Sequence, residues 1–428
     1  MKQAKKFFKS VFKSPVLLIF AIICFTLLPS AINRNSISFR SAIVTAVGID
    51  MNENSDIVIY SEISISSVSE SLAENSKILS ASGKTVGDAF ANLNLIFGRK
   101  LKLGHTRFVL IGSTISQQNV TSLLDRLIRT NKIRNIVQLI YCSSSVEEML
   151  NTGVELKKET GLRLSDILCH QQETSTTSLN SNIDSFYKGY FSQSGISKIN
   201  AVNLTSEQMQ GVSSTAIVQK EQSGNAQSQT NESNMGGSSE NKASSNDGSK
   251  FISNRGEVAI FKDGKLEVVL DEFVSQGLDW LSGDYSPKEI LVPVSSDKRL
   301  KGASINFDIL NKKVFTETFF YKKMPFMSVK ILISLDIDEI VDIDEKNIEI
   351  NYDLVGEEIK RDIGKVIRQQ ISLATKESKR LKLDILKLND IFYANNYNDY
   401  MEYIRMGNTL EDIIENTQIS VDVEIKII

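Results

Sequence analysis

The sequence predicts a mixed α/β (α+β) protein: a three-domain body behind an N-terminal membrane segment. Three observations predict this class. Short apolar strands alternate with segments whose apolar residues recur every three or four positions, which is the helical spacing. Two long segments near the C-terminus alternate apolar and polar residues without interruption, as strands do. Finally, five lysines precede an apolar run at the start of the chain.

The N-terminal 34 residues have the pattern of a membrane anchor or a signal. Every residue from Val16 to Leu28 except Thr26 is apolar. We expect residues 15–32 to lie in the lipid bilayer, with the lysines on the cytoplasmic side and the body on the extracytoplasmic face. A cut after Ala31 would place Pro29 where a signal peptidase needs a small residue, which favours an uncleaved anchor over a cleaved signal.

Cys24 is the single candidate for lipidation. It lies inside the apolar run, and the residue before it is Ile23. Lipid transfer requires a small residue at that position, so Ala21–Cys24 makes a poor lipobox. The predicted membrane contact therefore depends on the apolar run, and Cys24 is only an additional possibility.

The remaining composition is that of a folded globular protein. Of the 428 residues, 41% are hydrophobic, and the net charge is −3. No basic face is indicated, so nucleic acid is not an expected partner. The cysteines show no CxxC spacing. A disulfide between Cys142 and Cys169 is conceivable, but two separate buried thiols are the commoner outcome.

The first predicted domain covers residues 35–170. Strands and helices alternate along it, and Gly98 is expected to end the first helix. Ser143 or Ser145 is expected to cap the last helix. The expected elements are strands at 41–50, 56–65, 107–111 and 137–142, and helices at 85–97, 120–130 and from 146 onward.

The second predicted domain covers residues 171–300. It contains a segment, 219–250, without any Val, Ile, Leu, Phe, Tyr or Trp. Such a segment buries too little apolar area to offset its ordering entropy, so we expect a disordered insert. After it, residues 256–270 predict a hairpin around Asp263–Gly264, and residues 271–281 predict a helix with Trp280 in the core.

The third predicted domain covers residues 301–428. Residues 329–337 and 419–427 alternate as strands, and residues 356–381 carry a helical apolar stripe. We expect antiparallel strands with the long helix lying across one face of their sheet.

No group of residues indicates catalysis or metal binding. His105 has no partner acid or nucleophile nearby in sequence, and we expect a turn residue whose imidazole bonds to backbone. Cys169–His170 lacks a third ligand for zinc. The acidic stretch 336–345 lacks the glycine and the bidentate acid of a calcium loop, so a solvated strand end is expected there. No cofactor is predicted, and the expectation is that the protein is not an enzyme.

Six segments, in this order, resemble one family. The segments are Ala46–Asp50 (AVGID), Gly83–Phe90 (GKTVGDAF), Gly98–His105 (GRKLKLGH), Leu124–Arg134 (LDRLIRTNKIR), Ala259–Leu266 with Gly277–Gly283 (AIFKDGKL, GLDWLSG), and Gln369–Asp384 with Val421–Lys426. They are similar to the signatures of the Ger(x)C proteins, the C subunits of nutrient germinant receptors in spore-forming bacteria. Asp88 stands where that family usually has Glu, and the family normally carries a good lipobox.

The resemblance implies a protein held at the outer face of the spore inner membrane. It would assemble with two integral membrane subunits, one of them permease-like, and would be required when nutrients trigger germination. The family is not known for enzymatic activity. Two other functions stay open: an extracytoplasmic protein that binds a small nutrient directly, and a cryptic hydrolase that uses His105 or His170.

Overall fold

A computed structural model of the chain describes residues 41–65, 75–131, 133–160, 164–168, 181–205, 251–253, 256–282, 287–297, 300, 302–341 and 356–428. The strands in these ranges are β1 (Ser41–Met51), β2 (Ile57–Ile65), β3 (Asn75–Gly83), β4 (Lys100–Lys102), β5 (Phe108–Gly112), β6 (Gln138–Cys142), β7 (Ile196–Thr205), β8 (Phe251–Ser253), β9 (Val258–Lys262), β10 (Lys265–Leu270), β11 (Glu289–Pro293), β12 (Ser304–Tyr321), β13 (Met324–Val341) and β14 (Gln418–Ile427). The helices are α1 (Val86–Phe97), α2 (Thr121–Asn131), α3 (Val146–Thr160), α4 (Ile183–Tyr190), α5 (Glu272–Leu281), α6 (Glu357–Leu381), α7 (Leu388–Asn395), α8 (Tyr397–Arg405) and α9 (Leu410–Asn416).

The first ten strands form one sheet. Its order is β10-β9-β7-β6-β5-β1-β2-β3, with β4 beside β1 and β8 beside β7. The central pairs from β1 to β7 are parallel, and the outer pairs are antiparallel. Parallel neighbours need crossover connections, and helices α2 and α3 lie in those connections.

The side chains of this sheet belong to two apolar cores, one on each face of the sheet. In β5, Phe108 and Leu110 belong to the core beneath α3, whereas Val109 and Ile111 belong to the core beneath α1, α2 and α4. All four are at most 1% exposed. A strand covered on both faces is apolar at every position, which explains the unbroken run that follows His105.

The last four strands form a second sheet in the order β11-β12-β13-β14. Its long helix lies where the sequence predicts, but the prediction of antiparallel strands is wrong for one pair. Strands β13 and β14 are parallel, with Phe326 opposite Gln418 and Leu335 opposite Ile427. The chain between these two strands passes through α6 to α9. This connection is long enough for β14 to enter the sheet in the same direction as β13. The alternation of polar and apolar residues determines which face of the sheet a side chain occupies. It contains no information about whether the strand runs parallel or antiparallel to its neighbour.

Helix α5 packs closely on α6, and this contact joins the two sheets. A Cβ atom on Gly277 would lie 2.2 Å from the carbonyl oxygen of Gln370. The Trp280 indole N–H donates to Gln370 Oε1 over 2.6 Å, and Gln370 Nε2 donates to Gln276 at 2.6 Å. Trp280 is 1% exposed, so the prediction of a core tryptophan is confirmed.

Most local predictions for the first half of the body are confirmed. The helix predicted at 85–97 is α1, and Gly98 ends it as predicted, at φ 68°. Thr85 is its N-cap, a role that was not predicted from the sequence. Strands β1 and β2 form the expected hairpin, and Asp263 and Gly264 form the turn between β9 and β10 with φ 50° and 81°. Ser145 is the side chain that bonds to the first turn of α3. Six strands (β3, β4, β7, β8, β11 and β12) and four helices (α4, α7, α8 and α9) have no counterpart in the sequence prediction.

The division into three domains stays a prediction. Strands β6 and β7, which lie on either side of the expected boundary at residue 170, are neighbours in one sheet. The N-terminal segment with Cys24, the insert 219–250 and the pair Cys169–His170 lie outside the described residues, as does the acidic stretch after Val341. Among the described helices, none is both long and apolar enough to cross a bilayer.

Asp362 connects α6 to the segment that follows β11. Its carboxylate accepts four hydrogen bonds, from the backbone N–H and hydroxyl groups of Ser295 and Ser296, at 2.7–2.8 Å. Burial raises the pKa of Asp362, but these bonds lower it more, so the pKa of the carboxyl lies below its ordinary value of 3.8. The charged form is therefore favoured in the folded state.

We predict that Gly277→Ala lowers the free energy of unfolding by about 1–3 kcal/mol, the usual cost of forcing an extra carbon into a packed contact. The better helix propensity of alanine, about 1 kcal/mol, offsets this only in part. Urea unfolding measures the change. Gly104→Ala is the matched control, because a Cβ there meets nothing within 4 Å. Equal stability of the two variants would contradict the close packing of α5 on α6.

A second prediction concerns the stability of the protein at low pH. Because the pKa of Asp362 is lower folded than unfolded, its contribution to stability is complete above about pH 4 and is lost as the pH falls below that value. Asp362→Asn should therefore be less stable than the wild type at pH 7, and the difference should shrink toward pH 3. Chemical unfolding at both pH values measures it. A difference that does not depend on pH would exclude the charged carboxylate as the source.

Candidate functional site

A cavity of about 530 Å³ lies where the two sheets meet, and we call it the junction cavity. Its walls come from both halves of the body: β7, β9 and α4 on one side, and α5, β12 and α7 on the other. The lining residues are Ser185, Lys198, Val258, Ser275, Leu278, Asp279, Leu281, Ser282, Val314, Thr316, Leu386, Lys387, Asp390, Ile391, Ala394 and Asn395. Its size is within the range of small-molecule sites.

Lys198 on β7 provides one positive charge to this cavity. Its neighbours in the strand, Ser197 and Ile199, are at most 1% exposed, while Lys198 itself is partly exposed. Burial and the nearby charge of Lys387 lower the pKa of Lys198 to about 8, against the opposing effect of Asp279, Asp384 and Asp390. Its ammonium has no hydrogen bond or ion pair with any described residue, so its charge is only partly compensated.

Lys387 provides the second positive charge, and its position is set by backbone geometry. It has φ 57° and lies just before α7, in the left-handed region that non-glycine residues seldom adopt. The buried Asp384 holds this turn, since its carboxylate accepts the N–H groups of Leu388 and Asn389 at 2.7 and 2.8 Å. The Lys387 ammonium also lacks an ion-pair partner within the described part of the chain.

Helix α5 contributes a hydroxyl and a carboxylate. Ser275 is 1% exposed, and its Oγ atom has no hydrogen-bond partner among the described residues. Buried hydroxyls are almost always bonded, so this one is an exception that calls for a partner. Asp279, one turn further, is 5% exposed. The C-terminal end of α5 is held by Lys312, whose ammonium donates to the carbonyls of Asp279 and Ser282.

Asp390 on α7 joins the cavity wall to the other half of the body. Its carboxylate accepts the backbone N–H of Gln193 and the hydroxyl of Ser194, both at 2.7 Å. Lys262 donates to the Ser194 carbonyl at 2.7 Å. The cavity wall therefore combines a fixed acid–serine contact with two lysines that have no such partner among the described residues.

A second feature is the outer surface of the β12–β13 hairpin, which we call the hairpin face: Phe315, Phe319, Tyr321, Met324 and Phe326. Phe319 stacks on Phe326 with ring centroids 5.4 Å apart, and Tyr321 meets the edge of Phe326. Phe315, Phe319 and Tyr321 are 53%, 47% and 58% exposed. Contiguous exposed apolar surface is typical of an interaction site.

Two lysines form the tip of this hairpin. Lys322 and Lys323 have φ 48° and 65°, as the two central residues of a tight hairpin turn require. The Lys322 ammonium lies 5.3 Å from the ring centroid of Tyr321. The hairpin face thus ends in two positive charges beside exposed aromatic rings.

His105 belongs to neither feature. The chain turns from Leu103 to Thr106, whose N–H donates to the Leu103 carbonyl at 3.0 Å, so the predicted turn is confirmed. The ring is exposed and has no hydrogen bond to a described residue, so the expectation that the imidazole bonds to backbone stays a prediction. The preceding basic stretch contains β4, which pairs with β1.

The other candidate features of the sequence are metal-binding clusters and reactive thiols. The described residues hold no cluster of three His, Cys, Asp or Glu side chains that could bind a metal ion. Cys142 is a free, buried thiol, as expected. Burial raises the pKa of Cys142 to about 12, so the reactive thiolate is not formed near neutral pH.

Sequence reasoning missed both lysines of the cavity. Lys198 lies in a stretch with no clear period, and Lys387 lies between two helices, so neither stood out among the 49 Lys and Arg residues. The one available signal was Lys198 itself, a cation in the run Ile196–Val202 that is otherwise largely apolar. The hairpin face had a signal in the cluster of aromatic residues at 315–326.

Comparison with known families decides the relationship. A family model described as "Spore germination protein N-terminal domain" matches residues 40–202. A second, "Spore germination B3/GerAC like, C-terminal", matches residues 256–428. Together they cover more than three quarters of the chain.

The chain belongs to the Ger(x)C family of spore germination proteins.

No curated protein matches this Ger(x)C chain. Among solved structures, it is similar to one titled "Crystal Structure of the GerBC protein" with 14% sequence identity and a TM-score of 0.47, covering 89% of this chain and 96% of the other. The junction cavity of this Ger(x)C protein takes residues from both family segments: Ser185 and Lys198 from the first, and the others from the second.

We predict that Lys198→Met stabilises the unliganded protein at pH 7. The charged form of Lys198 is disfavoured in the folded state, because its pKa falls from 10.5 to about 8. The wild type should recover stability as the pH rises from about 8 toward 10.5, so the advantage of the variant should shrink over that interval. Thermal and urea unfolding at pH 7 and pH 9.5 measure this. Lys265→Met, at an exposed position of β10, is the control and should change little.

Proposed function

We propose that this chain is the membrane-anchored, non-enzymatic subunit of a spore germinant receptor. Its body would lie on the extracytoplasmic face of the spore inner membrane and assemble with integral membrane subunits, one of them permease-like. The observation that carries the proposal is membership of the Ger(x)C family over both of its segments. The basic N-terminus and the apolar run at residues 15–32 support the anchoring.

The hairpin face is the surface we assign to the partner subunit. Five of the fifteen exposed large apolar side chains among the described residues lie between Leu310 and Met324. Aromatic residues and methionine are enriched at the centre of protein interfaces, and such surfaces are unfavourable when left in water. The opposite face of the same sheet is covered by α6, whereas Phe315, Phe319 and Tyr321 are exposed with respect to the described part of the chain.

Co-purification from sporulating cells tests this proposal. The full chain, solubilised with its membrane, should retain an integral membrane protein, and the double variant Phe315→Ser/Phe319→Ser should lose most of it. Both side chains are about half exposed, so folding should be unaffected, and thermal unfolding checks this. Leu95→Ser is the matched control, since Leu95 is 79% exposed on α1 and should keep the partner.

Three outcomes would count against the proposal. The chain, with its apolar segment uncleaved, could be found outside the membrane fraction. The solubilised wild type could also elute alone. Finally, the Leu95 control could lose the partner as completely as the hairpin variant, which would remove the assignment of the hairpin face.

Direct binding of a small molecule is a second candidate function. The junction cavity favours it, because this cavity of ligand size contains two lysine ammonium groups and a buried hydroxyl that have no ion-pair or hydrogen-bond partner among the described residues. This function and the receptor role are compatible, since a receptor subunit can carry a ligand site of its own.

A further inference from the structure

The junction cavity combines three donors that have no acceptor among the described residues. Lys198 and Lys387 supply two ammonium groups, and Ser275 supplies a hydroxyl that is 1% exposed. The donors come from β7, from the turn before α7 and from α5, so they converge from three separate elements. Convergent donors without an internal acceptor are the usual arrangement of an anion site.

We propose that the junction cavity binds a small organic carboxylate. The carboxylate group would lie between Lys198 and Lys387 and accept the hydroxyl of Ser275. The apolar remainder would lie against Leu278, Leu281 and Ile391, which line the same cavity.

The charges around the cavity determine the class of anion. Asp279 and Asp390 also line the wall. With two ammonium groups and two carboxylates, the lining has no net positive charge, so it offers no net attraction to favour a multiply charged ligand such as phosphate over a singly charged one. The apolar wall adds stabilisation only for a ligand with a hydrocarbon part. A monocarboxylate with a short apolar chain satisfies both conditions.

The electrostatics of Lys198 support the same conclusion. Its pKa of about 8 shows that the folded protein disfavours the charge at this position. A polar group kept at a cost to stability in a cavity is typical of a functional site. A bound anion would offset the repulsion between Lys198 and Lys387, which is the second cause of the lowered pKa after burial.

Solvent reaches the cavity in the folded protein. Lys198, Lys387 and Asp390 are each partly exposed, while Ser275 and Asp279 are buried. A ligand could therefore enter with its hydrocarbon part toward the buried wall of α5 without unfolding of either sheet.

The inference deepens the second candidate function and does not depend on the receptor role. The test uses the full chain in a non-ionic detergent, with calorimetry and thermal unfolding at pH 7. The probes are hexanoate, its neutral isostere hexanamide, and inorganic phosphate. Hexanoate should bind and raise the melting temperature, whereas hexanamide and phosphate should have little effect, because a ligand stabilises in proportion to its binding to the folded state.

Substitutions locate the site. Lys198→Met and Lys387→Met should each weaken hexanoate binding about tenfold or more, as expected for the loss of a charge-assisted hydrogen bond. Ser275→Ala should weaken it severalfold. Lys265→Met is the control and should bind as the wild type does. If Lys198→Met does not fold, Lys387→Met and Ser275→Ala provide the same test.

Several results would overturn the proposal. Equal stabilisation by hexanoate and hexanamide would show that the cavity does not select a carboxylate. Stabilisation by phosphate as strong as by hexanoate would indicate a general anion effect. The absence of hexanoate binding, or binding that survives the lysine substitutions, would also exclude it. The hairpin variant Phe315→Ser/Phe319→Ser should keep hexanoate binding. Failure of the carboxylate site can therefore be distinguished from failure of the receptor role.

Discussion

The contact between α5 and α6 is the interaction on which the arrangement of the body depends. Gly277 allows the two helices to approach, and the Trp280–Gln370 hydrogen bond fixes them in one register. Helix α6 lies on the second sheet, while α5 follows directly from the last strand of the first. This contact therefore fixes the distance between the sheets, and with it the shape of the cavity that α5 lines.

The fold places two positive charges near each other in the junction cavity. Lys198 and Lys387 come from different halves of the chain. The backbone of Lys198 lies in a hydrogen-bonded strand, and the backbone of Lys387 lies in a left-handed turn that Asp384 stabilises. The charge of Lys387 is close enough to lower the pKa of Lys198, so the fold tolerates this repulsion. Local strain and unfavourable charge commonly occur together at functional sites.

The two candidate surfaces lie on different parts of the molecule. The hairpin face is on the outer side of the second sheet, and the junction cavity is on the inner side, among residues of both sheets. The strand β12 contributes to both, with Phe315 on one side and Val314 and Thr316 on the other. One strand thus joins a surface for a large partner to a cavity for a small ligand.

The sequence by itself determined many of the local elements and the family of this protein. Hydrophobic period, caps and turn residues act over a few neighbours, so the roles of Gly98 and Asp263–Gly264 follow from the residues beside them in the chain. It also predicted a core role for Trp280. It missed β7, because that strand carries a lysine and shows no clear alternation.

Only the tertiary structure decided the direction of β14, the union of ten strands in one sheet, and the cavity. These depend on contacts between residues that are far apart in sequence, such as Lys198 and Lys387, or Ser194 and Asp390. Polarity patterns record whether a side chain is buried, but they do not record which distant segment buries it. The same limit explains why His105, a rare residue in a conspicuous motif, is an exposed turn residue, while unremarkable lysines line the site.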